Sequence, residues 1–304
     1  MHIVIAGGSG FVGERLQKLL IEQNHRVTIL TRNPEKITQF EQVHAVNWLQ
    51  KDSRPEEKLQ EVDAIVNLAG ESINGIRWTK EKKKKILDSR MASTKEIIRI
   101  IDQLQSKPKV LVNASAIGYY GMSEMKTFGE EVGTEADDFL AAVVRKWEEE
   151  ANKAQDYGVR TVFARLGLVL GQKGALPMML LPYSLRIGGT IGSGKQWVSW
   201  VHVEDAVQMI FFAIQNQQIK GPLNVTAPNP VRMKEFGKTI SSVKHSPHWL
   251  PVPSWILKLG LGEMSNMLLK GQCVFPEKTI NHGFIFKYSE LNNTLLEILN
   301  SQRN

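Results

Sequence analysis

The chain has 304 residues, a length that allows one large domain or two modest ones. Hydrophobic residues make up 42% of it and charged residues 23%, proportions that exclude disordered, collagen-like and coiled-coil proteins. Its single cysteine, Cys273, excludes an intrachain disulfide framework and a cysteine-cluster metal site. A chain so poor in cysteine is typical of a reducing compartment, and we expect the cytoplasm.

The formal net charge is +7, which suits an anionic ligand but is too small to argue for nucleic acid. The sequence starts directly with an apolar strand, and no apolar run reaches the roughly 18 residues that a membrane helix needs. We therefore expect neither nucleic acid nor a membrane as a partner.

Short β-branched runs alternate with longer amphipathic segments, a pattern typical of βαβ units in a parallel sheet. Strands are predicted at 3–6, 26–31, 64–68, 109–114 and 160–164, with a weaker one at 43–48. Apolar residues at three- and four-residue spacing predict helices over 11–23, 79–104, 137–157 and 203–215. The predicted fold class is α/β, with a doubly wound parallel sheet.

The texture of the sequence changes in its second half. A loop-rich excursion, expected to be a lid or substrate lobe, covers about 170–200 and is marked by Gly188, Gly189, Gly192 and Gly194. Helices are predicted at 233–243 and 255–269, with several prolines between them. We predict a large domain over residues 1–230, which includes the excursion, and a small C-terminal domain over residues 231–304.

A glycine-rich turn joins the first predicted strand to the first predicted helix. Gly7 would permit a tight turn, Gly10 would let the backbone approach a pyrophosphate, and Gly13 would let the helix pack closely on the strand. The helix N-terminus offers unpaired N–H groups and a partial positive charge to phosphates. This strand–turn–helix context favours a dinucleotide site over a purely structural turn, and its predicted members are Gly7, Ser9, Gly10, Phe11, Val12 and Gly13.

The end of the second predicted strand indicates which dinucleotide binds. A site for the unphosphorylated cofactor normally has Asp or Glu about 20 residues after the glycine turn. This chain has Thr31 and Arg32 there instead. Arg32 would meet a 2′-phosphate with a planar, permanently charged fork, and Thr31 would add a hydroxyl. We predict NADP, with a plain surface arginine as the alternative.

The strand predicted at 64–68 ends in Leu68, Ala69 and Gly70, whose small members would let the backbone approach the cofactor from the second side of the cleft. A plain turn is the alternative. The lysine-rich run over 80–85 is predicted to be a solvated basic face of its helix, with a polyanion site as the alternative.

Taken together, these residues resemble the extended short-chain dehydrogenase/reductase superfamily, which contains the nucleotide-sugar epimerases. The whole chain is similar, more narrowly, to an epimerase-like family of atypical members with a small C-terminal domain of its own. The narrower resemblance rests on Gly7 to Gly13, Asn67 to Glu71, Arg77-Trp78, Ser89-Arg90, Ser115 to Gly121, Trp147-Glu148, Arg165 to Gly167, Gly188-Gly189, Gly192 to Gln196, Ser199 to His202, Asp205, Leu261 to Glu263 and Gly271-Gln272. It implies an NADP-binding fold in which Arg90 faces the cofactor. Lys85 is a further candidate for its phosphate or ribose, with a plain helix-surface lysine as the alternative.

The superfamily's catalytic pattern is a Ser at the end of the fifth strand and, on the next helix, a Tyr four residues before a Lys that lowers the Tyr pKa. Ser115 fits the first position. The helix predicted at 137–157 lacks the pair, because Ala142 stands four residues before Lys146 and Ala141 four before Arg145. The usual acid–base machinery is therefore missing.

We predict Ser115 and Tyr120 as the catalytic residues. Ser115 would orient a bound carbonyl, and Tyr120 or its neighbour Tyr119 would transfer a proton if a cation lay nearby. Packing is the alternative for the two tyrosines. The histidines lack metal-ligand spacing, so no metal site is predicted, and His202 is expected to cap or orient a helix.

Two functions stay open. One is an NADP-dependent oxidoreductase or epimerase that acts on a small hydroxyl- or carbonyl-bearing substrate or on a nucleotide-sugar-like one, favoured by a complete cofactor cleft. The other is a non-catalytic NADP(H)-binding regulatory or redox-sensing protein, favoured by the loss of the Tyr and Lys. A homodimer formed through the helix at 79–104 also stays open.

Overall fold

The computed structural model describes residues 1–37, 42–73, 77–133 and 136–301. Within these ranges the backbone forms a central sheet of seven strands, all of them parallel to their neighbours. The strands are β1 (His2–Ala6), β2 (Arg26–Thr31), β3 (Val43–Asn47), β4 (Ala64–Asn67), β5 (Val110–Ala116), β6 (Arg160–Leu166) and β7 (Gly221–Val225).

The order of the strands across the sheet is β3-β2-β1-β4-β5-β6-β7. Ile5 of β1 therefore lies between Ile29 of β2 and Val66 of β4. The strand order reverses between β1 and β4, because β2 and β3 lie on one side of β1 and the later strands lie on the other. Folds of this type bind ligands at such a switch point, in the crevice outside the carboxyl ends of the strands.

Helices cover both faces of the sheet, which confirms the doubly wound fold. One face packs against α1 and α5, and the other packs against α2 and α3. Within the described ranges the helices are α1 (Phe11–Glu22), α2 (Lys80–Gln103), α3 (Phe139–Asn152), α4 (Leu176–Ser184), α5 (Val203–Gln215), α6 (Met233–Val243), α7 (Ser254–Leu261), α8 (Asn266–Leu269), α9 (Glu277–Asn281) and α10 (Leu291–Asn300). None of these helices is both long and apolar enough to cross a membrane.

The predicted strands are all present, including the weak one that becomes β3. Strand β7, whose first residues are Gly221 and Pro222, is not among the predicted strands. These residue types weaken a strand signal, but β7 lies at the edge of the sheet, where a proline without an N–H donor is tolerated. Pairing with the buried strand β6 then decides the conformation.

Two other predictions need correction. The helix predicted at 255–269 is two short helices, α7 and α8, separated by a 3₁₀ turn over Gly262–Ser265 in which Gly262 has a φ of +59°. The loop-rich excursion contains the helix α4. This helix has prolines in its first turn and in its interior, and prolines there are not typical of a helical sequence pattern. Helix α4 is stabilised because Leu176 and Leu180 are buried in a hydrophobic core outside the sheet, which also contains Trp200 and Phe236 and is called the third hydrophobic core below.

The second half of the chain adds short strands beyond the sheet. Leu168–Leu170 runs parallel to Trp200–His202, Trp197–Val198 runs antiparallel to Val231–Arg232, and Thr127–Phe128 runs parallel to Cys273–Val274. The third hydrophobic core contains buried residues that lie between Leu170 and Ile240 in the chain. It also contains Leu291, Leu295 and Ile298 of α10. Because this core contains residues from both sides of position 230, the division of the chain there stays a prediction.

Two helical glycines offer a matched test of this packing. A Cβ added to Gly13 of α1 would collide with the Gly7 carbonyl oxygen and lie 2.8 Å from the Gly8 Cα, whereas one added to Gly260 of α7 would meet no atom within 4 Å. We expect Gly13→Ala to lower the free energy of unfolding by about 1–3 kcal/mol through overpacking. Gly260→Ala should be neutral or raise it by about 0.5–1 kcal/mol. Chemical denaturation measures both, and equal effects would contradict the close approach at Gly13.

Candidate functional site

The glycine-rich turn lies in the crevice between β1 and β4. Gly7 has a φ of +81°, and a Cβ there would lie 2.7 Å from the Leu68 carbonyl carbon, so only glycine fits between the two strand ends. Gly10 precedes α1, carries no side-chain cap, and is exposed together with Ser9. The first N–H groups of α1 therefore face a glycine-lined opening, and this cradle fits a pyrophosphate.

The other members of the turn have mixed roles. Gly13 packs against the turn itself, as predicted from its spacing. The half-buried Phe11 ring contacts the chain at Gly171 and Gly174, where added Cβ atoms would lie 2.5 and 3.3 Å from it. Val12 is half-buried beside the sheet core. The side chains of Phe11 and Val12 thus fix the helix, and only their backbone is left for a ligand.

Several charged groups gather at the ends of β2 and β4. Arg32 is exposed directly after β2, while Thr31 accepts a hydrogen bond from the Asn33 N–H at 3.2 Å. Beyond β4, Glu71 pairs with Lys82 at 2.6 Å. The hydrogen bond from Lys82 lowers the pKa of Glu71, and the charges of Lys82, Lys85 and Arg32 lower it further. Arg32 and Lys85 therefore belong to one positive region of the crevice.

The lysine run at the start of α2 is exposed as predicted at Lys80, Lys84 and Lys85, and departs from a solvated face at Lys82 and Lys83. Lys82 pairs with Glu71 and Lys83 pairs with Glu263, and the two lysine side chains are only 23% and 26% exposed. Lys84 pairs within the helix with Asp88 at 3.1 Å. Lys85 is exposed and forms no hydrogen bond or ion pair with any described residue. The run links the helix to its neighbours through side chains that composition alone assigned to solvent.

Arg90 lies against the end of β4. A Cβ added to Gly70 would lie 3.4 Å from the Arg90 guanidinium carbon, and that carbon lies 4.9 Å from the centre of the Trp147 ring. Its Nη1 donates to the Glu71 and Ile86 carbonyl oxygens, each at 3.0 Å. Burial lowers the pKa of Arg90 to about 10, which leaves it charged at neutral pH. No described carboxylate pairs with it, so this cation is available to an anionic ligand.

Ser115 belongs to a buried polar network at the carboxyl end of β5. Its hydroxyl, in a residue only 2% exposed, donates to Glu148 Oε1 of α3 at 2.5 Å. Arg165 of β6 donates to both Glu148 carboxylate oxygens at 2.8 Å. Ser115 and Arg165 thus share one carboxylate, and the network joins β5, α3 and β6.

The same network continues to Tyr120. Arg165 Nη1 donates to the Tyr120 hydroxyl at 2.9 Å, and that hydroxyl donates to Asn224 Oδ1 of β7 at 2.7 Å. The Arg165 guanidinium carbon also lies 3.5 Å from the centre of the Tyr119 ring. Arg165 is therefore a cation close to both tyrosines, as proton transfer by either of them requires.

Arg165 is a member of one of the family motifs, and the motif by itself indicates no role for it. An arginine within the apolar run of β6 was a usable signal, because a buried arginine requires a partner. No local pattern indicated that the partner is Glu148, which is 17 residues earlier in the chain.

This environment fixes the protonation state of Tyr120. Burial raises its pKa to about 12, although the neighbouring Arg165 partly opposes the shift. The phenol is therefore protonated at neutral pH and acts as a hydrogen-bond donor. Ser115 and Tyr120 both bond to protein groups and tie neighbouring elements together, and their catalytic roles stay predictions.

A cavity of about 230 Å³ opens at the N-terminus of α3, close to the end of β5. A Cβ added to Gly118, three residues after Ser115, would lie 3.4 Å from Leu140 of its lining. A wider opening of about 610 Å³ adjoins this cavity at Met122 and includes Tyr120 in its wall. The smaller cavity is lined by Trp78, Met122, Asp138, Phe139, Leu140, Glu263, Asn266, Met267 and Lys270.

His202 caps α5, as expected from the sequence: its Nδ1 accepts from the Glu204 N–H at 3.1 Å. Its Nε2 lies 3.0 Å from Glu297 Oε2 of α10. No group of three or more His, Cys, Asp or Glu side chains in the described ranges is arranged to hold a metal ion.

Replacing Tyr120 by Phe tests its structural role. The substitution removes the acceptor of Arg165 Nη1 and the donor to Asn224, and each is a buried group. We expect Tyr120→Phe to lower the free energy of unfolding by about 1–3 kcal/mol, the usual cost of an unsatisfied buried polar group. Tyr157→Phe is the control, because the Tyr157 hydroxyl has no hydrogen bond to a described residue. Equal stability of the two variants in urea denaturation would contradict this role.

Comparisons with known proteins agree with this architecture. The sequence model of the NAD dependent epimerase/dehydratase family matches residues 3–226, and that of a domain of unknown function, DUF1731, matches residues 252–298. The epimerase family protein YfhF of Bacillus subtilis is 50% identical over 299 residues, which are 98% of each chain. The epimerase family protein SH2119 of Staphylococcus haemolyticus is 42% identical over 291 residues, 95% of this chain and 96% of that one.

Solved structures show the same relationship. The human epimerase family protein SDR39U1 (isoform 2), crystallised with NADPH, matches with a TM-score of 0.87 at 31% identity and covers 99% of both chains. UDP-glucose 4-epimerase of Thermus thermophilus, in complex with NAD, shares the fold with a TM-score of 0.78 at 17% identity, over 100% of this chain and 99% of that one. These matches confirm the resemblance drawn from the motifs. The chain belongs to the NAD dependent epimerase/dehydratase family, among the epimerase family proteins that carry a DUF1731 domain.

Proposed function

We propose that this protein is an NADP(H)-binding, epimerase-like oxidoreductase. The observation that carries the proposal is the glycine-lined crevice between β1 and β4, where Arg32 and Arg90 provide cations that pair with no carboxylate among the described residues. Pyrophosphate and a 2′-phosphate are the anions that such a crevice suits. The NADPH in the human relative's crystal structure supports the same ligand here.

Each part of the crevice has a proposed partner in the cofactor. The glycine turn and the first N–H groups of α1 would bind the pyrophosphate. Thr31 and Arg32 would bind the 2′-phosphate, with Lys85 nearby, and the backbone at Leu68, Ala69 and Gly70 would contact the adenosine side, with Arg90 behind it. Once bound, the dinucleotide would exchange a hydride with a substrate carbon.

The proton that accompanies the hydride needs a route other than a Tyr–Lys pair. The Ser115 hydroxyl is proposed to orient the substrate oxygen, which requires it to turn away from Glu148. Tyr120 is protonated at neutral pH and would act as a donor, not as a base. Both roles follow from the position of these hydroxyls at the carboxyl end of β5, where ligands bind in this fold.

The proposed choice of cofactor is tested by removing the charge of Arg32. Loss of one charge-assisted bond costs about 1.5–3 kcal/mol, which corresponds to roughly 10- to 100-fold in dissociation constant. We expect Arg32→Ala to weaken NADPH by this factor and NADH by less than about threefold, because NADH lacks the 2′-phosphate.

Isothermal titration calorimetry with each dinucleotide measures the effect. Lys18→Ala removes a cation that is 69% exposed on the far part of α1, and it should leave both affinities unchanged. Equal affinity of the natural protein for NADPH and NADH would refute the NADP assignment.

A non-catalytic NADP(H) binder is the second candidate, and one observation favours it. Both hydroxyls proposed for catalysis are buried and bonded to protein groups, so neither is a free acid or base in this structure. In an enzyme, Ser115→Ala should lower turnover of a carbonyl substrate by about 10-fold or more while NADPH affinity stays within about twofold. Ser184→Ala, on α4, is the control.

Steady-state consumption of NADPH with a panel of carbonyl compounds measures this turnover. Tight NADPH binding without turnover of any compound, together with a protein that co-purifies with the chain, would favour the binder.

A further inference from the structure

The 230 Å³ cavity beside α3 has a composition that restricts what can bind in it. It lies next to the turn that follows Ser115, because Leu140 in its wall contacts the backbone at Gly118. One wall is the first turn of α3, and the facing wall is the segment of α8 and the 3₁₀ turn before it. A molecule held here would lie close to the carboxyl end of β5, at the edge of the sheet where ligands bind in this fold.

The wall of this cavity is mainly apolar. Trp78 packs edge-on against Phe139 with their ring centres 5.7 Å apart, so the two rings hold each other in place. Leu140, Met122 and Met267 complete the apolar part of the lining. An aromatic or branched hydrocarbon body fits such a wall, because binding removes apolar surface of both the ligand and the wall from water.

The charges of the lining oppose a polyanion. Among the described lining residues, Asp138 and Glu263 are the two carboxylates, and Lys270 is the one cation. Asp138 caps α3 by accepting from the Leu140 and Ala141 N–H groups at 2.9 and 3.1 Å, while Glu263 pairs with Lys83. The lining therefore has no excess of positive charge to balance a diphosphate.

The adjoining wider opening changes this balance little. Lys126 is the charged residue that its described lining adds, and no arginine is present there. Arginine is the residue best suited to bidentate recognition of phosphate groups. The described lining of the two openings thus offers two lysines and no arginine, together with two carboxylates, of which Glu263 is paired with Lys83.

We infer that the substrate of this site is a small carbonyl or alcohol with an apolar body and at most one negative charge, and not a nucleoside-diphosphate sugar. The inference rests on the proposed function and narrows its substrate class. The smaller cavity, taken by itself, suits a body of this size, since its volume of about 230 Å³ lies below the range of about 300–1,000 Å³ that holds drug-sized ligands. Lys270 and Asn266, whose side chains bond to no other described residue, would bind the polar end of the molecule.

The experiment uses the full chain saturated with NADPH, after calorimetry has measured its affinity for the dinucleotide. Acetophenone represents the neutral member of the class, benzoylformate the singly charged one, and UDP-glucose the nucleotide sugars. Thermal shift and calorimetry measure binding of each probe, and the loss of NADPH absorbance measures turnover. We expect acetophenone and benzoylformate to raise the Tm and UDP-glucose to have no effect at equal concentration.

Two variants test the wall and the polar end separately. Leu140→Asn should weaken acetophenone by about 10-fold or more, because it places an amide against the apolar body. Its control is Ile285→Asn, at an apolar position that is 88% exposed and outside the cavity. Lys270→Met should weaken benzoylformate while leaving acetophenone within about twofold. Lys18→Met is the matched control.

The outcomes separate the inference from the proposed function. Absence of NADPH binding overturns the proposed function itself. Binding of NADPH with tighter binding of UDP-glucose than of either ketone overturns the inference alone, and so does binding of NADPH with no response to either ketone. If Leu140→Asn fails to fold, Lys270→Met and the probe comparison with the natural protein still decide the question.

Discussion

The buried ion pair between Glu148 and Arg165 is the interaction on which this end of the sheet depends. The two side chains are only 9% and 4% exposed, so each requires the other, and removal of one would leave an uncompensated charge in the interior. Ser115 donates a hydrogen bond to Glu148, and Tyr120 accepts one from Arg165. Tyr120 in turn donates to Asn224 of β7, which connects the network to that strand. One network thus holds β5, α3, β6 and β7 in register where the candidate site opens.

The same pair explains how this site differs from the superfamily pattern that its motifs resemble. In that pattern a lysine cation serves a tyrosine phenolate. Here the cation is Arg165, and it is bound at both carboxylate oxygens of Glu148, so Tyr120 receives a single bond from it. Burial then outweighs the nearby positive charge, and the pKa of Tyr120 rises instead of falling. Any proton transfer at this site would start from a protonated phenol.

The crevice and the cavity have opposite chemistry although they share one edge of the sheet. At the crevice, glycines remove side chains, and Arg32 and Arg90 supply positive charge, which together suit the phosphates of a dinucleotide. At the cavity, Trp78 and Phe139 supply an apolar wall, and carboxylates cancel the lysine charge. In the proposed function, this difference would favour the dinucleotide in the crevice and a small substrate in the cavity. A polyanion would gain no favourable charge interaction by moving from the crevice into the cavity.

The sequence by itself determined the parallel sheet, its flanking helices and the glycine turn, because hydrophobic periodicity and the spacing of Gly7, Gly10 and Gly13 are local properties of the chain. It also placed Ser115 at a strand end and showed that no Tyr–Lys pair follows on α3. Only the tertiary structure decided the partners: Glu148 for Arg165, Asn224 for Tyr120, and Glu263 for Lys83. Those contacts join residues that are distant in the chain, and their strength comes from burial, which the order of residues does not encode locally.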